Sequence, residues 1–319
     1  MNTIPLIFNE RKIKRTIIAR KEKPQNAELP VCAVLISESN QRRIPMLENL
    51  AKNTFTSIIS AGFTSDDYNI EHTARLFPQV TFIIAQEKAT RGELVNAAVE
   101  ESEEDFVLVL RDTLKINAQV LSKGLFERIV GEKVFCAAPR LVNADGQAIP
   151  VNYKPIIETE RHHKRFRIDT DSVKSEKTIY TFDNIALYSK SKFIALGGFD
   201  YTIFSPYWQT LDLCARAWLW GETTRVYNSF QLYYAADAPQ EDATINAAYM
   251  RFFLKNIAPV SKNGNVYIPI SKFFDFSHRS GFSFFEAKQH FNDGRQWVEK
   301  NALRFSRDII ELCSSWEDM

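Results

Sequence analysis

Short apolar runs alternate with polar stretches of helical period along the first third of the chain. VCAVLI at 31–36, FTSIIS at 55–60, VTFIIA at 80–85 and FVLVL at 106–110 are runs rich in β-branched and aromatic residues, the pattern of strands buried on both faces. Between them, 45–52 places Met46, Leu47 and Leu50 at helical spacing, and 92–103 places Leu94, Val95 and Ala98 on one face. This βαβαβαβ succession predicts an α/β fold in which the four runs are neighbouring parallel strands. Their carboxyl ends, and with them Ser37 to Asn40 and Arg111 to Thr113, then share one sheet edge, where open sheets of this kind hold ligands. Further on, 117–129 reads as a helix, 134–143 as a strand and Ala144-Asp145-Gly146 as a turn, while 151–180 is polar and loop-like. Order returns over 182–200, and a helix is expected from Thr210 to Trp220. Beyond 237 the pattern is mainly helical, with aromatics to pack on the main domain or on a second copy of the chain. The expected organisation is an N-terminal arm over 1–29, a mostly parallel sheet flanked by helices over 30–237, and a helical extension over 238–319.

Charge and composition narrow the function. The 40 basic and 39 acidic residues leave no global field to attract nucleic acid. Eleven glycines, roughly half the usual frequency, argue against a glycine-paved dinucleotide site, and no GxSxG, P-loop or GxGxxG sequence occurs. The four cysteines lie far apart without metal-ligand spacing, which fits a reducing compartment. With no signal-like start and no long apolar stretch, a cytoplasmic protein is expected. One local exception is the arm, where Arg11, Lys12, Lys14, Arg15, Arg20, Lys21 and Lys23 face only Glu10 and Glu22. Such a cluster is suited to contact with the inner face of an anionic membrane or with an acidic partner; a solvated, partly helical extension is the plainer reading.

Several local patterns, in order, resemble the family 2 glycosyltransferases, which use a nucleotide-diphosphate sugar on a GT-A fold. Ser39-Asn40 after the first strand resembles that family's opening turn, and the Gly and Asn of TRGELVNAA (90–98) match the helix after its third strand. FVLVLRDT (106–113) stands where the family's strand ends in DxD, PRLVNADG (139–146) resembles the next strand and turn, and LGGFDYTIF (196–204) matches a GGFDE-type turn. WQTLDLCARAWLWG (208–221) has the form of the acceptor-side helix, and the resemblance covers 30–235. It implies transfer of a sugar from a nucleotide-diphosphate donor to a glycan or lipid-linked acceptor, such as a cell-envelope glycan.

This sequence departs from the family at its acidic motifs. DxD carboxylates hold Mg2+ or Mn2+ on the diphosphate, but Asp112 is here the single carboxylate and Arg111 stands beside it. Either Arg111 replaces the metal on phosphate oxygens, or the two form a solvated pair at a strand end. The family's Glu-Asp pair is Gln209-Thr210, neither of which is a base near neutral pH. The resemblance thus places Ser39, Asn40, Ser60, Arg91, Arg111 and Asp112 on the nucleotide-sugar side and Trp208, Gln209 and Thr210 on the acceptor side, with no metal ligand assigned. Asp212 and Asp183 are the remaining candidates for catalysis, although Asp212 and Arg216 at i and i+4 also suit a structural ion pair. Phe63 could stack on a base, Asp66 and Asp67 could cap a helix, and His162 and His163 sit in the basic run RHHKRFR. Loss of both acidic motifs supports an alternative: a catalytically inactive relative that binds a nucleotide sugar or serves as a scaffold.

Overall fold

A computed structural model describes residues 4–63, 69–117, 119–160, 163–170 and 176–319. In chain order the elements are β1 (Arg15–Ile18), β2 (Leu29–Ser37), α1 (Asn40–Leu50), β3 (Phe55–Phe63), α2 (Ile70–Leu76), β4 (Val80–Ala85), α3 (Arg91–Glu101) and β5 (Phe106–Arg111). Then come β6 (Leu114–Lys115), α4 (Lys123–Glu132), β7 (Cys136–Val142), β8 (Ala148–Ile149), β9 (Tyr153–Glu160), β10 (His163–Thr170), β11 (Ala186–Ser189), α5 (Lys190–Ala195), α6 (Pro206–Leu219) and β12 (Thr224–Tyr234). The remainder holds α7 (Ala247–Phe252), β13 (Val260–Lys262), β14 (Asn265–Tyr267), α8 (Lys272–Ser280), α9 (Phe284–Asn301) and α10 (Ile309–Ser315).

The four apolar runs are neighbouring parallel strands in the order β4-β3-β2-β5. Alternate residues of β2 face opposite ways: Val31, Ala33 and Leu35 join a core with Met46, Leu47 and Leu50 of α1, while Cys32, Val34 and Ile36 join a second core with Leu94, Val95 and Ala98 of α3. A continuous apolar run was therefore the correct signal, because both faces of the sheet are covered by helices.

The whole sheet is mixed rather than mostly parallel. Its order continues through β11, antiparallel to both β5 and β7, then β12, parallel to β7, and ends with β6, antiparallel to β12. Three further differences from the sequence expectation have local causes. The stretch over 151–180 contains the antiparallel pair β9–β10, whose polar strands lack the apolar run that marks a buried one. The N-terminal arm contributes β1 as an antiparallel edge beside β4. Its basic residues meet acids: Arg15 lies 2.8 Å from both Glu100 and Glu101, Lys12 2.7 Å from Glu100, and Arg20 2.9 Å from Glu103. The C-terminal segment is helical except for the small hairpin β13–β14. Among the described residues no helix is long and apolar enough to cross a membrane.

Candidate functional site

The carboxyl ends of β2 and β5 lie side by side, Ile36 opposite Arg111. The backbone turns sharply there from β2 into α1, and the turn's donors converge on Asp112. Its Oδ2 accepts hydrogen bonds from Ser37 Oγ, the Glu38 N–H and the Ser39 N–H, each at 3.0 Å, with Arg42 Nε 3.5 Å away. Both Ser37 and Asp112 are buried. Asp112 is thus a structural acceptor that closes the turn.

Arg111, also buried, points along the same edge into a ring of charges. Arg91, the first residue of α3, donates from Nε to Glu38 Oε1 at 2.6 Å and from Nη1 to Asp183 Oδ1 at 3.0 Å. Arg111 bridges the same two carboxylates, with Nη2 3.2 Å from Glu38 Oε1 and Nε 3.4 Å from Asp183 Oδ2. Burial alone would raise the Glu38 carboxyl, yet Arg91 and Arg111 outweigh it and hold Glu38 below the usual carboxylate range. Burial pushes Asp183 upward, with Arg111 and Arg91 opposing it. The chain holds Asp183 and Asn184 at φ 52° and 62°, consecutive left-handed residues that Asp and Asn tolerate better than most side chains. Tyr188 Oη donates to the Asn184 carbonyl at 3.1 Å and helps fix that conformation. Backbone strain maintained in this way is typical of functional sites.

Beside the ring opens a cleft of about 550 Å³, a size suited to a small ligand, lined among others by Arg91, Asp183, Asn184, Tyr207, Thr210 and Glu241. Thr210 Oγ1 lies within hydrogen-bond reach of Asn184 Oδ1 and, at 2.8 Å, of the Pro206 carbonyl, which share its one proton. Glu241 accepts a hydrogen bond from Tyr180 Oη. Burial raises the Glu241 carboxyl to about 7, against the lowering effect of the Tyr180 hydroxyl and the Asp183 backbone N–H. Glu38 and Glu241 escaped the sequence reading. Glu38 adjoins Ser39 at the end of β2, inside the Ser37 to Asn40 segment that strand order places at the sheet edge. Glu241 lies in the polar run PQEDAT soon after β12, and its only sequence signal is that this run follows a strand of the same sheet.

Of the residues singled out from sequence, Arg91, Arg111, Asp112 and Asp183 come together at one edge, and Thr210 joins them across the cleft. The others lie elsewhere or act locally. Ser60 is buried within β3, two positions short of the Gly62 that pairs with Ser37, so it does not reach the edge. Ser39 precedes α1 and meets Asp112 through its backbone, and Asn40 opens that helix. Trp208 donates from Nε1 to the Thr244 carbonyl at 2.9 Å and packs against Tyr207, Tyr249 and Phe252. Gln209 accepts from the Gly92 N–H at 3.2 Å and donates to Thr90 Oγ and the Asp200 carbonyl at 3.0 and 2.8 Å, tying α6 to the start of α3. Gly92 is required there, since a Cβ would lie 2.5 Å from Gln209 Oε1. Asp212 is fully buried, 2.5 Å from Arg216 and 2.8 Å from Lys255, and lies outside the cleft. Asn96 brackets the backbone of Phe199 with two hydrogen bonds, so the Asn of α3 and the GGFD turn are one structural unit. Phe63 ends β3 and His163 opens β10; Asp66, Asp67 and His162 lie outside the described residues.

A divalent ion at the place of DxD does not fit these residues. Asp112 already accepts three hydrogen bonds on one oxygen, and the neighbouring side chain is a guanidinium. Among the described residues no three His, Cys, Asp or Glu side chains converge as a metal site.

The architecture resembles that of GalNAc-T7, solved with UDP, GalNAc and Mn2+, at a TM-score of 0.60 and 10% identity, over 90% of this chain and 56% of that one. It also resembles S. aureus TarS at a TM-score of 0.51 and 13% identity, over 86% and 43% of the two chains. The chain therefore spans about half the length of each of these proteins. No family model and no curated protein sequence matches it. At this identity the likeness defines the fold: a mixed sheet flanked by helices, resembling the GT-A fold and followed by C-terminal helices.

Proposed function

We propose that the chain transfers a sugar from a nucleotide-diphosphate donor to a glycan or lipid-linked acceptor, and that arginine side chains, rather than a metal ion, meet the diphosphate. One observation carries the reading: Arg91 and Arg111 converge on Glu38 and Asp183 at the carboxyl edge of the parallel strands, beside the cleft. A guanidinium binds phosphate oxygens in the same planar geometry in which it binds a carboxylate. A diphosphate arriving at this edge would exchange with Glu38, the more exposed carboxylate, and leave Asp183 to orient both arginines. GalNAc-T7, whose fold is similar, was solved with a nucleoside diphosphate, a sugar and a metal ion. The ligand proposed here is of that chemical class, with the cation supplied by the protein.

A second reading has its own support. Asp112 closes a turn through one oxygen and Gln209 ties two helices together, so both side chains have structural tasks where the resembling family carries its acidic motifs. On that reading the cleft binds a nucleotide sugar without turnover, and the chain serves as a binding or scaffold module. Incubation of the purified protein with a panel of labelled nucleotide sugars, with and without lipid-linked and oligosaccharide acceptors, separates the two. Acceptor-dependent appearance of labelled product establishes the transferase; retention of donor without product establishes the binding module.

A further inference from the structure

We propose that the Glu241 carboxylate takes the proton from the acceptor hydroxyl in the cleft. The inference rests on the transferase reading above and supplies the base that Gln209-Thr210 cannot provide. Thr210 lines the same cleft as Glu241, so the two side chains face one ligand space even though they come from α6 and from the segment after β12. That segment is anchored on both sides of Glu241. The Ala238 N–H donates to Asn143 Oδ1 at 3.0 Å, and the Thr244 carbonyl accepts from Trp208 Nε1 at 2.9 Å. Between these anchors Glu241 is half-buried and accepts hydrogen bonds from the Tyr180 hydroxyl and the Asp183 backbone N–H, which aim the carboxylate while its remaining lone pairs can still accept from a hydroxyl in the cleft.

The competing carboxylates are less suited. Asp183 has Arg91 on one oxygen at 3.0 Å and Arg111 on the other at 3.4 Å, with Tyr234 Oη also 3.4 Å away, so both of its oxygens are already occupied by the side chains it orients. Asp242 is exposed and is held below the usual range by the Thr244 hydroxyl and backbone N–H. Asp212 is outside the cleft. The groups facing Glu241 are the phenols of Tyr153, Tyr180, Tyr207 and Tyr234 together with Asp183. Each of these phenols is pushed upward by burial first and by carboxylate charge, so they stay protonated while Glu241 titrates. A base whose ordinary value is raised to about 7 is half ionised near neutrality, where general-base catalysis is most effective.

The acceptor oxygen forms a bond to the anomeric carbon while the bond from that carbon to the phosphate oxygen breaks. The electron pair of the broken bond leaves on the nucleoside diphosphate, whose charge Arg91 and Arg111 meet, and the acceptor proton ends on Glu241.

The test uses the full chain with the donor and acceptor found in the product screen, following kcat and KM between about pH 5 and 9. Wild-type kcat should rise with pH through an inflection near 7, because the ionised form is the active one. Glu241→Gln should lower kcat by about 10²–10⁴-fold and remove the inflection while donor affinity is kept. Tyr180→Phe, which deletes the hydrogen bond that lowers Glu241, should move the inflection to higher pH. A Glu241→Gln protein that transfers at the wild-type rate with an unchanged profile overturns the inference alone. A wild-type protein that binds donor yet shows no transfer at any pH overturns both the inference and the transferase reading, leaving the binding module.

Discussion

Asp112 shows how an acidic motif can survive in sequence and change its task. The segment LRDT stands where a metal-binding pair is expected, and nothing in those four letters reveals that the carboxylate turns back onto the Ser37-Glu38-Ser39 backbone. Asp112→Ala strands three donors in a partly buried turn and should cost about 1–3 kcal/mol, read as a lower Tm, with no change in metal dependence. Asp212 carries a related lesson. The i,i+4 spacing to Arg216 was legible, but Lys255 and Asn256, which complete its surroundings at 2.8 Å each, come from distant sequence. Burial alone would raise Asp212, but Arg216 and Lys255 outweigh it and hold its carboxyl below the usual range. A depressed carboxyl stabilises the fold above its unfolded value near 4 and loses that contribution as pH falls through the folded value. Asp212→Ala should therefore destabilise by about 3–5 kcal/mol at neutral pH, and the gap between variant and wild type should narrow in urea melts below about pH 4.

The elements were read more reliably than the side chains, for a physical reason. Strands β2 to β5 are buried on both faces, so each had to be a continuous apolar run, and each run is visible. The pair β9–β10 meets the core only through separated residues, Tyr153, Ile157, Phe166 and Ile168, with mainly polar residues between them, and so left no such trace. Helix α6 was also visible, but its function as a tie was hidden in Gln209. One of its amide ends accepts from Gly92 and the other donates to Thr90 and Asp200. Gln209→Glu would replace the donor end by a second acceptor facing the Asp200 carbonyl, so restoring the acidic residue common in the resembling family should lower Tm rather than create a base. The same substitution should leave the pH profile of any activity unchanged, since Gln209 lies outside the cleft lining. A stable Gln209→Glu protein with increased kcat would contradict this account of α6.

At the scale of the molecule, the C-terminal helices and the N-terminal segment share one buried region with the sheet. Lys255 lies 2.9 Å from Asp200 of the GGFD turn, and Trp297 of α9 donates to the Pro5 carbonyl at 2.9 Å. The segment over 238–319 thus supplies Lys255 to the core and Glu241 to the cleft. This joint contribution is why the site was only partly legible in the sequence: Arg111 follows from strand order, Asp183 from its order along the chain and Arg91 from the family resemblance, whereas Glu241 depends on how the chain crosses the cleft after β12. The central claim is that Arg91 and Arg111 take the place of a metal on a nucleoside diphosphate. Its most direct test is calorimetric titration of the wild type and Arg111→Ala with the same nucleotide-sugar panel, in EDTA and in Mn2+. The account predicts that one donor binds the wild type with affinities in EDTA and Mn2+ that agree within about tenfold, roughly 1.4 kcal/mol, and that Arg111→Ala weakens it by more than this in both. Binding that appears only with Mn2+, or that Arg111→Ala leaves unchanged, would contradict it.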